Sequence, residues 1–392
     1  MRTDSRLAVG SPTVRVTAIL AATLLLALAL AAAGAGVQRL AAAGPIVVAA
    51  DGSGDYTTIQ EAVDAAAGGD EILVRPGVYA EEVVIEEKAI TVRGDGPIDE
   101  IVLELDEGAL FTLSNSDAEV ADLTLRGGLD TQGMNLVGGA PTVRGVVFDG
   151  TGVPYESNQL GQGGSLTILG DAQVLDSSFV GGGEILVGLF GNAVLENNEL
   201  TDGPHIYLQA PGADAVVRNN TIKGTFDRAI GLFGETTMTI ENNTIVGAGG
   251  DGITVGWNTA NDRLINPLIT GNDISDSLVG IKVHNGADPV VESNRLSGNE
   301  TAVINLGAAA TYAGNELTGN DIGFSFQGSP TLADNSVVDG GVGLVVYGSD
   351  TQPVLTGNTV CGNDTNVQLA EDGETPPLEY DDSNEICEDG AD

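Results

Sequence analysis

Short runs such as Gly252–Val255 (GITV), Gly280–Val283 (GIKV) and Gly323–Phe326 (GFSF) place apolar residues at every second position. A period of two marks a strand with one buried face. Gly and Asn bound these runs, and no stretch between them is long enough for an amphipathic helix. The runs belong to a repeat: ENNEL, RNNTI, ENNTI, TGNDI, ESNRL, AGNEL, ADNSV and TGNTV. Their third residues are Asn198, Asn220, Asn243, Asn272, Asn294, Asn315, Asn335 and Asn358, spaced 22, 23, 29, 22, 21, 20 and 23 residues apart. Weaker copies end at Val74, Val92, Leu125, Phe148 and Phe179, giving about thirteen turns. A unit of this length holds two or three short strands and cannot bury its own apolar face. Stacking it as one coil of a solenoid does so.

The Asn column has a physical cause. Asn tolerates left-handed backbone at turns, and amides aligned from coil to coil form a hydrogen-bonded ladder. Asn219, Asn242, Asn299 and Asn363 also open Asn-x-Thr sequons; a ladder position accounts for them as well as glycosylation does. A solenoid needs caps. Thr58 with Glu61 fits a capping box, Ile59, Ala62, Val63 and Ala66 make one apolar helical face, and Gly68 and Gly69 stop the helix. This short N-terminal helix is predicted to plug the first coil.

The termini differ in character. Arg2, Arg6 and Arg15 precede an uncharged, mostly apolar run from Val16 to Val37. It is long for a signal-peptide core of about 7–15 residues and sufficient for a membrane span of about 20. Export with cleavage is expected in preference to a retained anchor, and in both cases the rest of the chain lies outside the cytoplasm. The predicted organisation is a signal peptide or anchor over residues 1–44, the solenoid over 45–365, and an acidic tail or cap over 366–392. An oxidising compartment pairs the chain's two cysteines, Cys361 and Cys387, and closing that loop is worth about 3 kcal/mol.

Charge narrows the partners. The chain carries 56 acidic and 15 basic residues, a net charge of −41. Such a surface repels nucleic-acid phosphate, so no nucleic-acid partner is expected. The segment DGSGD (Asp51–Asp55) imitates the start of a calcium loop, but its twelfth position is Ala62 rather than a bidentate Glu. Calcium is compatible with the many acids, yet no spacing locates a site, and no other cofactor is expected. Three Met and two His are too few for a copper centre. A monomer is expected, with the membrane touched only through an uncleaved N-terminal segment.

The stretch VVAADGSGDYTTIQEAVDAAAGGDEILVRPGVYAEEVVIEEKAITVRGDG, beginning at Val47, resembles the opening of pectin methylesterases. The repeats that follow resemble the right-handed parallel β-helix of pectate-lyase-like proteins. The resemblance implies an all-β fold: a single-stranded right-handed parallel β-helix of about 13 coils with a short N-terminal capping helix. Pectin methylesterases carry GTVDFIFG, whose Asp is the nucleophile. Here GTFDRAIGLFG keeps Gly224, Thr225 and Asp227 and then departs, running three residues longer. The family's QDT element is replaced one coil earlier by DGPHIYLQAPG, and its Arg-x-Trp is absent. That ester hydrolysis needs a second carboxyl of opposed protonation, so it is not the expected activity.

Aligning the coils stacks HIYLQ, AIGLF, GITVGW and GIKVH. Alternation turns Ile206, Leu208, Ile253, Val255, Ile281 and Val283 inward and His205, Tyr207, Gln209, Phe233, Thr254, Lys282 and His284 outward. Trp257 and Arg228 stand at the strand ends. Both histidines, one of three lysines and the sole Trp thus gather on one face. Aromatics beside polar donors suit a sugar chain, with Asp227, Asp251 and Asp262 available to accept from hydroxyls. Two longer coils, DGTGVPYESNQLGQGG and WNTANDRLIN, insert loops into the scaffold. The leading expectation is a polysaccharide or cell-surface glycan partner bound along His205, Tyr207, Gln209, Phe233, Trp257, Lys282 and His284. The alternatives are a polysaccharide lyase or carbohydrate esterase using Asp227, Arg228, Lys282 or His284, and a purely structural or adhesive rod.

Overall fold

The computed structural model describes residues 44–128, 130–152, 164–188, 192–209, 214–234, 237–256, 265–349, 351–370, 375 and 377–389. The N-terminal apolar run, Trp257, Asp262 and most of both inserted loops lie outside these residues. No described helix is long and apolar enough to cross a membrane.

From Ile46 the chain passes in rotation through three parallel sheets. Among the described residues the first sheet has 14 strands, from Ile46–Val48 to Val354–Thr356. The second has 14, from Gly77–Tyr79 to Glu385–Ile386, and the third has 13, from Val83–Glu86 to Thr365–Leu369. Each strand pairs with its counterparts one coil before and one coil after, so the third sheet counts thirteen coils. The expected fold is the observed one. Of the weak repeats, Val74 and Val92 lie in the first sheet, whereas Leu125, Phe148 and Phe179 are stacked in the second.

Alternation selects the core as expected. Ile206, Leu208, Ile253, Val255, Ile281 and Val283 are all fully buried. Like side chains stack on like along the axis: the Phe148 and Phe179 rings lie 4.3 Å apart and 7° from parallel. Each buried side chain of this size contributes roughly 1.5–3 kcal/mol, and no coil could collect that alone.

The corner between the first and second sheets holds the Asn ladder. Asn198 Nδ2 and its backbone N–H both donate to Asn220 Oδ1, each at 2.9 Å. The same double donation links Asn220 to Asn243, Asn243 to Asn272, and onward to Asn358. The conformational reason differs from the expected one. The ladder residues themselves are not left-handed; the residue before each of them is. Asn197, Asn219, Asn242, Gly271, Ser293, Gly314, Asp334 and Gly357 all have φ between 54° and 66°. Left-handed geometry swings the chain through the corner and points the next side chain inward, where its amide must be satisfied. Asn, Asp and Gly recur at the left-handed position because they bear it at least cost.

A second ladder occupies the corner between the second and third sheets. Asn299 donates through its backbone N–H and Nδ2 to Asn320 Oδ1, both at 3.0 Å. Ser277 enters from the preceding coil and Asn363 satisfies Gly340 beyond it.

Both ends are closed. The helix α1 (Ile59–Ala65) has Thr58 as its N-cap, accepting from the Glu61 N–H. It ends at Ala66, two residues before the glycines, where the backbone turns extended. Glu81, from the following coil, accepts from the Ile59 and Gln60 N–H groups at 2.8 and 2.9 Å, and Lys88 donates to the Val63 carbonyl at the other end. Charges of these signs suit a helix dipole. At the C-terminus Asn384 supplies a further ladder rung to Asn358, and Glu385–Ile386 pairs with Thr359–Val360. The Cys361–Cys387 disulfide ties that last strand down.

On the outer faces of the first two sheets, cations separate acids that would otherwise stack. Arg218 lies between Glu196 (2.8 Å) and Glu241 (4.0 Å), and Arg126 between Asp149 (2.9 Å) and Glu104 (3.6 Å). These half-exposed pairs contribute little stability each; their effect is to spare like charges from facing one another ~4.8 Å apart.

Asn272→Ala removes the acceptor of two buried donors on Asn243 and a donor to Ile240 and Asn294. Unfolding in urea should show a loss of about 3 kcal/mol, against about 1 kcal/mol for Asn384→Ala at the half-buried last rung. A loss at Asn272 no larger than at Asn384 would contradict the ladder's role.

Candidate functional site

The third sheet places Leu186, Tyr207, Gly231, Thr254 and Lys282 in one outward column over five successive coils. Gln209 and Phe233 pair in the next column, and His284 shares that side two residues beyond Lys282. At the entry to the sheet, Arg228 and Asp251 stand two residues before the paired Ile230 and Ile253, so they occupy equivalent places in adjacent coils. Glu184 and His205 stand likewise one residue before the paired Ile185 and Ile206.

These residues point away from the core, yet most are covered. His205, Phe233 and Thr254 are 8%, 6% and 3% exposed, while Gln209 is open to solvent. Gly231 explains the Phe233 burial. A Cβ there would sit 2.6 Å from the Phe233 ring and 3.0 Å from Arg228 Cδ. The missing side chain lets Phe233 and Arg228 lie down on the sheet from opposite sides. Phe233 then stacks on Tyr207, centroids 4.6 Å apart, and the Arg228 guanidinium lies 5.4 Å from the Phe233 centroid, within cation–π reach.

Asp227 and Arg228, adjacent in GTFDRAIGLFG, are covered to different degrees. Asp227 is half-exposed, but the Arg228 side chain retains only 13% of its surface and holds Asp227 Oδ2 at 2.8 Å. Gly250 makes room for this carboxylate: a Cβ there would approach Asp227 Oδ1 to 2.8 Å. One coil on, Asp251 Oδ2 accepts from Thr254 Oγ1 at 2.7 Å and faces Lys282 Nζ at 3.6 Å. One coil back, Glu184 Oε2 lies 3.5 Å from His205 Nε2, both side chains nearly buried. Charges so covered are rare unless paired, and each is paired here.

His284 is the titratable group that this environment shifts. Burial lowers its pKa from the ordinary imidazole value, Lys282 lowers it further, Asp251 opposes and Arg228 adds a smaller lowering. At neutral pH its imidazole is accordingly neutral, a proton acceptor beside an ammonium and a carboxylate. Among the described residues, three side chains with metal-ligating atoms converge at Cys361, Glu385 and Cys387, where the disulfide engages both sulfurs.

The structure brings His205, Tyr207, Phe233, Asp227, Arg228, Asp251, Lys282 and His284 together across four coils. It adds Glu184, which the sequence reading passed over. The signal was available: Glu184 precedes an inward Ile just as His205 does. The GTxD likeness to the esterase motif resolves into scaffold. Gly224 is the left-handed corner residue with φ 66°, and Thr225 fills the buried position behind it.

In an NMR titration the His284 imidazole should protonate below 6.5, and Lys282→Met should raise its midpoint. A midpoint that stays fixed in that variant would show that Lys282 does not act on the ring.

Comparison with known proteins fits this geometry. Residues 109–266 and 265–360 match the family described as right handed beta helix region. Residues 45–114 match the pectinesterase family. The chain is 52% identical over 52 residues to the probable pectinesterase/pectinesterase inhibitor 17 of Arabidopsis thaliana, a match spanning 13% of this chain and 10% of that protein. Among solved structures it is similar to the catalytic unit of a thermostable GH87 alpha-1,3-glucanase from Streptomyces thermodiastaticus, with TM-score 0.61 and 17% identity. That likeness covers 86% of this chain and 72% of the other. The periplasmic alginate epimerase AlgG follows with TM-score 0.51 and 13% identity over 76% of each chain. At such identities the likeness is one of fold. The matched repeat region takes in well over half of the sequence and every strand of the site, and the chain belongs to the right-handed β-helix family.

Proposed function

We propose that the protein is an exported β-helix that binds a polysaccharide along the outer face of the third sheet, across the coils from Glu184 to His284. One observation carries this reading. One face of a molecule with net charge −41 gathers both histidines, Arg228, Lys282, three carboxylates and a Tyr207–Phe233 stack in consecutive coils. Carboxylate–cation pairs offer acceptors and donors side by side, which suits vicinal hydroxyls, and the Tyr207 ring offers an apolar edge. A coil rise of ~4.8 Å lets one extended sugar chain run past several coils. Support also comes from the similar solved structures, both named for action on polysaccharides.

A second reading, turnover of the bound chain, is favoured by one feature. His284 is held neutral next to Lys282 and Asp251, the arrangement a general base needs at neutral pH. In that reading His284 accepts a proton, Lys282 steadies developing negative charge and Asp251 positions Lys282.

Glycan-array and calorimetric binding test the first reading. Tyr207→Ala and Lys282→Met should each weaken binding about tenfold. Gly231→Val, which removes no functional group but displaces Phe233 and Arg228, should weaken it as much. Binding indifferent to all three would place the ligand elsewhere. For the second reading, incubation with polysaccharides that bind should release products, and His284→Ala should abolish release while binding persists. Equal rates in wild type and variant would reject catalysis by His284.

A further inference from the structure

We infer that Asn219 and Asn242 are acceptor sites for N-linked glycan and that Asn299 and Asn363 are not, although all four open an Asn-x-Thr sequon. The deciding fact is the frame of the sequon against the coil. In Asn219-Asn220-Thr221 and Asn242-Asn243-Thr244 the first Asn is the left-handed corner residue, with φ 56° and 54°. It is exposed, the second Asn turns inward to the ladder, and the Thr turns out again at the head of the next strand. Acceptor amide and Thr hydroxyl therefore present to the same side. In Asn299-Glu300-Thr301 and Asn363-Asp364-Thr365 the frame is shifted by one residue. The first Asn is now the inward one, 1% and 4% exposed.

The shift also commits the amides. Asn299 Nδ2 donates to Asn320 Oδ1 at 3.0 Å and to the Ile274 carbonyl at 3.2 Å. Asn363 Nδ2 donates to the Val337 carbonyl at 2.9 Å and Asn366 Oδ1 at 3.0 Å. A sugar on either nitrogen would remove a buried donor and demand space inside the corner. Asn219 and Asn242 stand at the corner between the first and second sheets, the one corner that the third sheet does not touch. Glycans there leave the Tyr207–His284 face clear.

The transfer adds one bond and breaks one. Asn Nδ2 bonds to C1 of an oligosaccharide donated by a polyprenyl-phosphate carrier. The C1–O bond to the carrier breaks, the carrier phosphate departs with the electron pair, and the amide proton passes to a base of the transferase. The inference rests on the export proposed above and not on glycan binding.

The test is mass spectrometry of the protein purified from its native cells, with fractionation of the same cells reporting export separately. Trypsin releases Asn219–Lys223 and, apart from it, the peptide from Ala229 that contains Asn242. Both should carry hexose-containing adducts, while the single tryptic peptide from Leu296 that holds both Asn299 and Asn363 is unmodified. Asn219→Asp and Asn242→Asp should each lose the adduct and stay folded, because Asp176 and Asp334 hold the same corner in other coils. An unmodified Asn219 or Asn242 in exported protein overturns that site, and both unmodified overturn the proposal. An adduct on Asn299 or Asn363 in folded protein overturns the frame rule. Protein retained in the cytoplasm overturns both this inference and the export on which it rests.

Discussion

A β-solenoid has to bury its own corners. Strands satisfy their backbone groups through the coils above and below, but at a corner the chain leaves the strand and its amides lose that partner. Here one device solves it at the first corner from Ser177 to Asn358 and again at a second corner in the later coils from Ser277 onward: a left-handed residue followed by an inward Asn or Ser. The Asn oxygen takes the N–H and Nδ2 of the rung before it, and its own Nδ2 reaches a carbonyl of the preceding coil, as Asn272 does to Ile240. Each rung satisfies its neighbour, so a rung is only as good as the register that aligns it. The stacking distance of ~4.8 Å is thereby fixed at the corners as well as within the sheets.

That register makes an outward face of the third sheet usable. Residues far apart in sequence, such as Glu184 and His284, come to stand at fixed places because every coil between them is pinned by a rung of the first ladder. Rigid strands hold functional groups better than loops do. The glycines complete the arrangement. Gly231 and Gly250 are spaces into which Phe233, Arg228 and Asp227 settle. The face is thus partly closed over its own charges, and its ion pairs are already formed within the fold.

The sequence showed the coils because the repeat is written in Asn, Gly and alternating apolar residues. It showed the outward column because period-two alternation is strict in a parallel sheet. What it hid has physical reasons. The left-handed residue could not be told from the ladder residue, because Asn is favoured at both, as in Asn219-Asn220 and Asn242-Asn243. The second ladder escaped notice because its places are filled by Ser277, Asn299, Asn320, Gly340 and Asn363, too mixed to read as a column. Burial of Phe233 and Arg228 depends on what Gly231 lacks, and an absent side chain leaves no periodic mark. Glu184 was overlooked because a run of glycines precedes it and no ladder Asn flags its coil.

The same scaffold logic weighs motif likeness in repeat proteins generally. Gly224, Thr225 and Asp227 match an esterase signature by letter. In this fold any coil needs a left-handed corner residue, for which Gly is the least costly choice. It needs next a small residue facing in, and Thr225 occupies the place that Ser277 and Asn299 hold in later coils. Two of the three matches are therefore demanded by geometry and carry no chemical information. Only Asp227 is surplus to the scaffold. Its carboxylate is spent on Arg228 over Gly250 rather than aimed at a second carboxyl of opposed protonation. Asp251, Lys282 and His284 meet over the next two coils, at places that no turn of the scaffold requires.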